Sequence, residues 1–132
     1  MMDAKAPKKR ILFVDDEPDQ VLLIQTRLEH NGYEVFTATD GETGLKLALE
    51  QKPDLVIVDL LIPRLDGLEI CRRLKQDPAT AKIPVALFTA SATRDLDELC
   101  QSVGFAAYLR KPYEATELMA IIQRLTGAAP PR

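Results

Sequence analysis

The strongest constraint on the fold is a regular alternation between short apolar runs and longer segments with helical spacing. Five runs, rich in Val, Ile, Leu and Phe, are bounded by charged residues, Gly or Pro: Ile11–Val14, Val35–Ala38, Leu55–Val58, Val85–Phe88 and Phe105–Leu109. Continuous runs of this kind are typical of strands that are buried on both faces of a parallel sheet. The sequence therefore predicts five strands.

Between these runs, apolar residues recur at helical intervals. The predicted stripes are Val21, Ile24 and Leu28; Leu68, Cys71 and Leu74; Leu96, Leu99 and Val103; and Leu118, Ile121, Ile122 and Leu125. Residues 41–50 make a weaker helix, because Gly44 lies inside it and lowers helix propensity. The order β-α, repeated five times with right-handed crossovers, predicts an α/β fold with a five-stranded parallel sheet and helices on both faces.

Length and charge limit the kinds of protein this chain can be. Its 132 residues suit one domain, and 17 basic against 20 acidic residues give a net charge of −3, which disfavours direct nucleic-acid binding. We expect a disordered basic leader over 1–9, a folded domain over 10–126 and a tail or linker over 127–132.

No apolar run is long enough for a signal peptide or for membrane insertion, so we expect a cytoplasmic protein. One His and the separated Cys71 and Cys100 do not suit a zinc site.

Polar residues follow all five predicted strands, and those after the second strand, Thr39 and Asp40, suit an ordinary helix start. Asp15 and Asp16 follow the first strand, Asp59 the third, Thr89 the fourth, and Lys111 lies just beyond the fifth. Sites in open parallel sheets lie at the carboxyl ends of the strands, so these side chains should converge. Three converging carboxylates need a cation, and an all-oxygen ligand set suits Mg²⁺. A metal, a lysine, a hydroxyl and a nucleophilic carboxylate together suit a phosphoryl group.

Each of these residues also has an ordinary explanation when it is taken alone. Asp16, which lies two residues before Pro18, could be the cap of the next helix. Thr89 could be a strand-end residue with a local hydrogen bond, and Lys111 could be a solvated surface charge. The functional interpretation depends on their placement at one edge by separate strands.

The chain resembles the receiver domain of two-component response regulators from about Arg10 to Leu125. The motifs that carry the resemblance are Ile11-Leu-Phe-Val-Asp-Asp-Glu17, Asp54-Leu-Val-Ile-Val-Asp59, Leu60-Leu-Ile-Pro-Arg-Leu-Asp-Gly67, Phe88-Thr-Ala90 and Tyr108-Leu-Arg-Lys-Pro112. The resemblance implies a flavodoxin-like (βα)5 receiver fold with strand order 2-1-3-4-5. It also implies a signalling domain that catalyses only its own phosphorylation and dephosphorylation.

The resemblance implies roles for individual residues. Asp59 would accept a phosphoryl group from a sensor histidine kinase or a histidine phosphotransfer protein. The implied Mg²⁺ ligands are Asp16, Asp59 and the backbone carbonyl of Leu61, with Asp15 acting through water. No organic cofactor is implied.

Three further residues would take part in the conformational change that follows phosphorylation. Thr89 and Lys111 would move toward the phosphoryl oxygens, and Tyr108 would be the aromatic switch residue that follows Thr89. This change would repack the face made by helix 4, strand 5 and helix 5, and so signal to a downstream protein. Leu61 and Ser91 occupy the two positions that, in receivers, tune hydrolysis of the aspartyl phosphate. Because Leu61 has no polar side chain, we expect slow autodephosphorylation.

Three other functions stay open. A flavodoxin-like cofactor module needs a first loop that cradles phosphate, whereas Asp15 and Asp16 would repel it. An aspartyl phosphohydrolase usually carries a second Asp where Leu61 stands. A degenerate receiver would serve only as a protein-interaction module, which the intact Asp59 and Lys111 disfavour. The sequence leaves the pathway open, and it leaves open whether the receiver stands alone or belongs to a longer protein.

Overall fold

Five strands and five helices alternate within residues 8–60, 62, 64–90 and 95–127, the part of the chain that the computed structural model describes. The elements are β1 (Arg10–Val14), α1 (Pro18–His30), β2 (Glu34–Ala38), α2 (Gly41–Gln51), β3 (Leu55–Asp59), α3 (Gly67–Gln76), β4 (Val85–Thr89), α4 (Leu96–Val103), β5 (Ala107–Arg110) and α5 (Ala115–Thr126). The predicted leader and tail lie largely outside these residues and stay predictions.

The strands form one parallel sheet with the order β2-β1-β3-β4-β5. Val14, near the end of β1, pairs with Ala38 on one side and with Val58 on the other. The ends of the remaining strands follow the same register, since Thr89 pairs with Arg110. The predicted fold class and the strand order that the resemblance implies are both confirmed. All five strands therefore end at one edge.

The sheet separates two hydrophobic cores. Strand β3 shows the alternation, because Leu55 and Ile57 face the core under α1 and α5, while Val56 and Val58 face the core under α2, α3 and α4. All four side chains are fully buried. Burial on both faces explains why the strands appear in the sequence as continuous apolar runs rather than as alternating ones.

Strand β5 begins later than the apolar pattern predicts. The predicted start at Phe105 is wrong, because pairing with β4 begins at Ala107, opposite Ala86. Phe105 is buried in the core on the α4 side before the strand starts. A single backbone hydrogen bond from Ala106 to the carbonyl of Val85, 2.8 Å long, precedes the ladder. The apolar run therefore contains a core residue of the loop as well as the strand.

Helix α2 forms in spite of its glycines, and close packing explains one of them. Its first turn is capped by Asp40, whose carboxylate accepts a 2.8 Å hydrogen bond from the amide of Thr43. A Cβ atom at Gly44 would lie only 2.8 and 3.0 Å from the two methyl carbons of Val14. Glycine at this position therefore lets α2 approach β1 directly next to the strand end that carries Asp15.

The cysteines lie where the sequence predicts, on helices, with Cys71 buried and Cys100 half-buried. Both are free thiols. Desolvation by burial raises the pKa of Cys71 to about 11, so this thiol is a packing group at neutral pH. Among the helices in the described part of the chain, none is long and apolar enough to cross a membrane.

Candidate metal centre

Three carboxylates meet at the carboxyl edge of the sheet. Asp15 and Asp16 directly follow β1, and Asp59 is the last residue of the neighbouring strand β3. One carboxylate oxygen of each lies within 4.8 Å of the others. Asp15 is 1% exposed and Asp59 is half-buried, whereas Asp16 is exposed. The convergence predicted from strand placement is therefore present.

Lys111 joins two of these carboxylates. Its ammonium nitrogen Nζ donates hydrogen bonds to Oδ2 of Asp15 and to Oδ2 of Asp59, each 2.9 Å long. Burial alone would lower the pKa of Lys111, but the hydrogen bonds and charges of Asp15 and Asp59 together raise it above its ordinary value. The ammonium therefore stays positive throughout the physiological pH range. Lys111 is a member of the cluster rather than a solvated surface charge.

The backbone fixes the position of Lys111 and of Asp15. The amide of Lys111 donates a 2.9 Å hydrogen bond to the carbonyl of Thr89, so the residue after β5 is tied to the end of β4. The amide of Asp15 donates to the carbonyl of Ala38, and Oδ1 of Asp15 accepts from the amide of Glu17. Both oxygens of the Asp15 carboxylate are thus engaged, one by Glu17 and one by Lys111.

Asp16 is not the cap of helix α1. The N-cap is Glu17, which makes no side-chain cap hydrogen bond, and Pro18 occupies the first helical position. The explanation of Asp16 as an ordinary helix cap is therefore wrong. Its exposed carboxylate faces the other two acids at the mouth of the cluster, which leaves it accessible from solvent.

Thr89 lies on β4, next to the strand of Asp59, and Tyr108 lies on β5, one strand further along the sheet. Thr89 ends β4, is 1% exposed and pairs with Arg110, while Tyr108 is half-buried in the middle of β5. Tyr108 packs against the core on the α4 side. The roles expected for these residues stay predictions. Leu61, whose carbonyl was expected to bind the metal, and Ser91 lie outside the described residues.

The chemistry of the cluster fits Mg²⁺. Within the described residues, the acidic group contains only carboxylate ligands, without His or Cys. Hard oxygen ligands are what Mg²⁺ prefers, and it commonly uses one or two carboxylates together with water and phosphate oxygens. Three carboxylates and one ammonium leave a local charge of −2, so a divalent cation would neutralise the cluster.

An acidic neighbour of Tyr108 is a feature that no sequence motif indicates. The Asp97 carboxylate, in the first turn of α4, raises the pKa of Tyr108 above its ordinary value. The two residues lie on different elements and no motif links them. Only the helical phase of α4, with Leu96 facing the core, indicates on which side Asp97 lies.

Comparison with known proteins agrees with this geometry. The family model described as the response regulator receiver domain matches residues 11–123. The chain is 40% identical over 126 residues to the alkaline phosphatase synthesis transcriptional regulatory protein PhoP of Bacillus subtilis, covering 92% of this chain and 52% of PhoP. It is also 40% identical over 117 residues to response regulator PleD of Caulobacter vibrioides, covering 89% of this chain and 26% of PleD. The chain thus spans about half the length of PhoP and about a quarter of PleD.

Solved structures show the same architecture. The receiver domain of a sensor histidine kinase from Pseudomonas aeruginosa, which has a magnesium ion coordinated in its active-site cleft, superposes with a TM-score of 0.83 at 31% identity. The match covers 92% of this chain and all of that one. Chemotaxis protein CheY4 of Vibrio cholerae gives a TM-score of 0.83 at 26% identity, covering 90% of this chain and 99% of CheY4. The chain belongs to the response regulator receiver domain family.

Proposed function

We propose that this receiver domain accepts a phosphoryl group on Asp59 from a sensor histidine kinase or a histidine phosphotransfer protein, in a Mg²⁺-dependent reaction. The observation that carries the proposal is the Lys111 ammonium, which bridges Asp15 and Asp59 inside a cluster of three carboxylates. A lysine at that position would lie beside the negative oxygens of a phosphoryl group on Asp59. The acids and the lysine together match a site for a metal and a phosphoryl group.

The proposed reaction is a transfer from nitrogen to oxygen. A carboxylate oxygen of Asp59 attacks phosphorus, the O–P bond forms as the P–N bond of phosphohistidine breaks, and the imidazole nitrogen keeps the electron pair. The product is an acyl phosphate on Asp59. Mg²⁺ would neutralise the charge of the phosphoryl oxygens. Its proposed ligands are Asp16, Asp59 and the backbone carbonyl of Leu61, with Asp15 acting through water.

Residues around Asp59 supply a positive charge and a hydroxyl donor for the phosphoryl group, and the site is open to a donor protein. The raised pKa of Lys111 keeps its ammonium protonated, so it offers a fixed positive charge to the transferred group. The proposed role of Thr89 is to donate a hydrogen bond from its hydroxyl to a phosphoryl oxygen. A cleft of about 410 Å³ opens beside Lys111 and is lined on its other side by Glu17 and Arg27 of the α1 region. The exposed carboxylate of Asp16 keeps the cluster open to solvent, which leaves room for the imidazole of a donor protein to approach.

The output that we propose is a change in the face made by α4, β5 and α5. Movement of Thr89 and Lys111 toward the phosphoryl group would allow Tyr108 to rotate, and a downstream protein would read the repacked face. The domain would act in the cytoplasm and would catalyse only its own phosphorylation and dephosphorylation. It would not bind nucleic acid directly.

The test is chemical phosphorylation followed by intact mass. Wild type incubated with acetyl phosphate and Mg²⁺ should gain one phosphoryl group, and EDTA should prevent the gain. Asp59→Ala should gain none, whereas the matched control Asp19→Ala, at an exposed carboxylate on α1, should behave as wild type. A wild-type protein that stays unmodified, or an Asp59→Ala variant that is modified equally well, would show the proposal to be wrong.

A further inference from the structure

Gly41, the first residue of α2, lies directly against the β3–α3 connection, residues 60–66. A Cβ atom at Gly41 would overlap the carbonyl oxygen of Leu65, and it would lie 2.6 Å from both the carbonyl carbon and the Cβ atom of Leu65. Cβ atoms in proteins essentially never come within 3.0 Å of another heavy atom. Because two of the three obstructing atoms belong to the backbone, a rotation of the Leu65 side chain cannot make room for a methyl group.

The first turn of α2 is fixed by its own contacts. The Asp40 carboxylate caps the helix by accepting hydrogen bonds of 2.8 and 3.0 Å from the amide and the hydroxyl of Thr43. The amide of Gly44 donates a 3.0 Å hydrogen bond to the carbonyl of Asp40, and Gly44 lies against the methyl groups of Val14. A side chain at Gly41 would therefore displace the β3–α3 connection rather than the helix.

The β3–α3 connection is tied to the backbone of Asp59. A 3.2 Å hydrogen bond from the amide of Gly67 to the carbonyl of Leu60 joins its two ends. A Cβ atom at Gly67 would lie 2.5 Å from the carbonyl oxygen of Asp59, so α3 begins directly against the proposed phosphoacceptor. Leu60 and Ile62 are buried in the core on the α2, α3 and α4 side, which holds the chain on both sides of Leu61. A displacement at one end of the connection is therefore passed on to Asp59.

We propose that Gly41 is a positioning residue for the Mg²⁺ site: because it has no side chain, α2 supports the β3–α3 connection at Leu65 and so holds Asp59 and the carbonyl of Leu61 in place for the metal. The inference rests on the proposed function, which assigns Asp59 and Leu61 as ligands. Replacement of a residue that orients metal ligands typically costs about 10–100-fold in metal affinity. Gly41→Ala should therefore weaken Mg²⁺ binding about tenfold, although all three carboxylates stay present.

The first test measures Mg²⁺ binding by titration calorimetry without any phosphodonor. The Kd for Mg²⁺ should be about tenfold higher in Gly41→Ala than in wild type. Gly32→Ala is the matched control, since Gly32 has a φ of +93° that strains an alanine, while nothing lies within 4 Å of its Cβ position. This control should lose stability and keep the wild-type Kd. Equal Kd values in wild type and Gly41→Ala, or an equal increase in Gly32→Ala, would overturn the proposal.

The second test uses wild type alone, so its outcome does not depend on the folding of a variant. The chain has six glycines, and protein labelled with ¹⁵N-glycine gives one amide signal for each. Addition of Mg²⁺ should shift the signals of Gly41 and Gly67 and leave those of Gly32 and Gly127 in place. A Gly41 signal that does not move at saturating Mg²⁺ would contradict the coupling between α2 and the metal.

The Mg²⁺ dependence of acetyl phosphate labelling separates this inference from the proposed function. In Gly41→Ala, the Mg²⁺ concentration that gives half of the maximal rate should rise about tenfold. A rate that falls by the same factor at every Mg²⁺ concentration would indicate only loss of folded protein and would overturn the inference. If wild type binds Mg²⁺ but is not phosphorylated, phosphoryl transfer to Asp59 fails, while the Kd values still decide the role of Gly41. If wild type binds no Mg²⁺, both proposals are wrong.

Discussion

Replacement of Lys111 by Met tests the electrostatics of the acidic cluster most directly. The variant keeps an unbranched side chain of similar length but removes the ammonium that donates to Asp15 and Asp59 at 2.9 Å each. In the variant these carboxylates and Asp16 would face one another without that cation. We expect the folded state to become less stable.

The magnitude follows from burial. Loss of one partner of a buried ion pair costs about 3–5 kcal/mol, because a charge stays in the interior uncompensated. The Asp15 side chain is 1% exposed, which favours a large cost, whereas Lys111 and Asp59 are 18% and 14% exposed, so that water can screen part of it. We therefore expect a loss of about 3 kcal/mol in the free energy of unfolding at pH 8.

The pH dependence of this loss follows from the pKa of Lys111. The pKa of Lys111 is raised in the folded protein, so its contribution is fully present below the unfolded lysine pKa of about 10.4 and is lost only as pH rises through the folded value. The wild-type contribution of Lys111 is thus constant from pH 5 to pH 8. Removal of the ammonium should therefore lower the free energy of unfolding by about the same amount at pH 5 and at pH 8.

Urea unfolding in EDTA at pH 5 and pH 8 measures the free energy of unfolding of wild type and of Lys111→Met. Lys46→Met, at an exposed lysine of α2, is the matched control and should change stability by less than about 0.5 kcal/mol. Addition of Mg²⁺ should stabilise Lys111→Met more than wild type, because the variant cluster is more negative. A Lys111→Met variant that is as stable as wild type at pH 8 in EDTA would refute the reasoning.

Two further predictions concern packing and thiol chemistry. Gly44→Ala should destabilise the fold by about 1–2 kcal/mol in urea unfolding, because its Cβ would crowd the Val14 methyl groups and the cost exceeds the gain in helix propensity. In a Val14→Ala background the same change should become neutral or stabilising, and a full cost there would contradict the packing explanation. Iodoacetamide at pH 8 should modify the half-buried Cys100 well before Cys71, whose pKa is raised to about 11 by burial; equal rates by peptide mass mapping would contradict this order.

The edge of the sheet could be predicted from the sequence because topology, rather than detailed packing, places its residues. Once the strands are known to be parallel, Asp15, Asp59 and Thr89 have to lie at one edge, whatever their side chains contact. The same reasoning places Lys111 near them. It does not tell whether the ammonium bridges two acids or points into solvent, since a flexible side chain reaches either position.

Other features depended on tertiary contacts that a linear pattern does not contain. Residues 41–50 looked weak as a helix because intrinsic propensity penalises Gly44, whereas its close approach to Val14 favours glycine. The sequence pattern places the start of β5 too early, because a buried loop residue such as Phe105 and a buried strand residue are both apolar. The effect of Asp97 on the pKa of Tyr108 depends on the relative rotation of α4 and β5, which the sequence does not specify.

The separation of the interior into two cores has a consequence for how the domain diversifies. Leu109 of β5 belongs to the core under α1 and α5, whereas its neighbour Tyr108 packs against the other core. Substitutions on the two sides of the sheet share few neighbours, and effects of distant sites on stability are additive. Natural variation or engineering can therefore change the packing of the α2, α3 and α4 layer with little effect on the stability of the α1 and α5 layer.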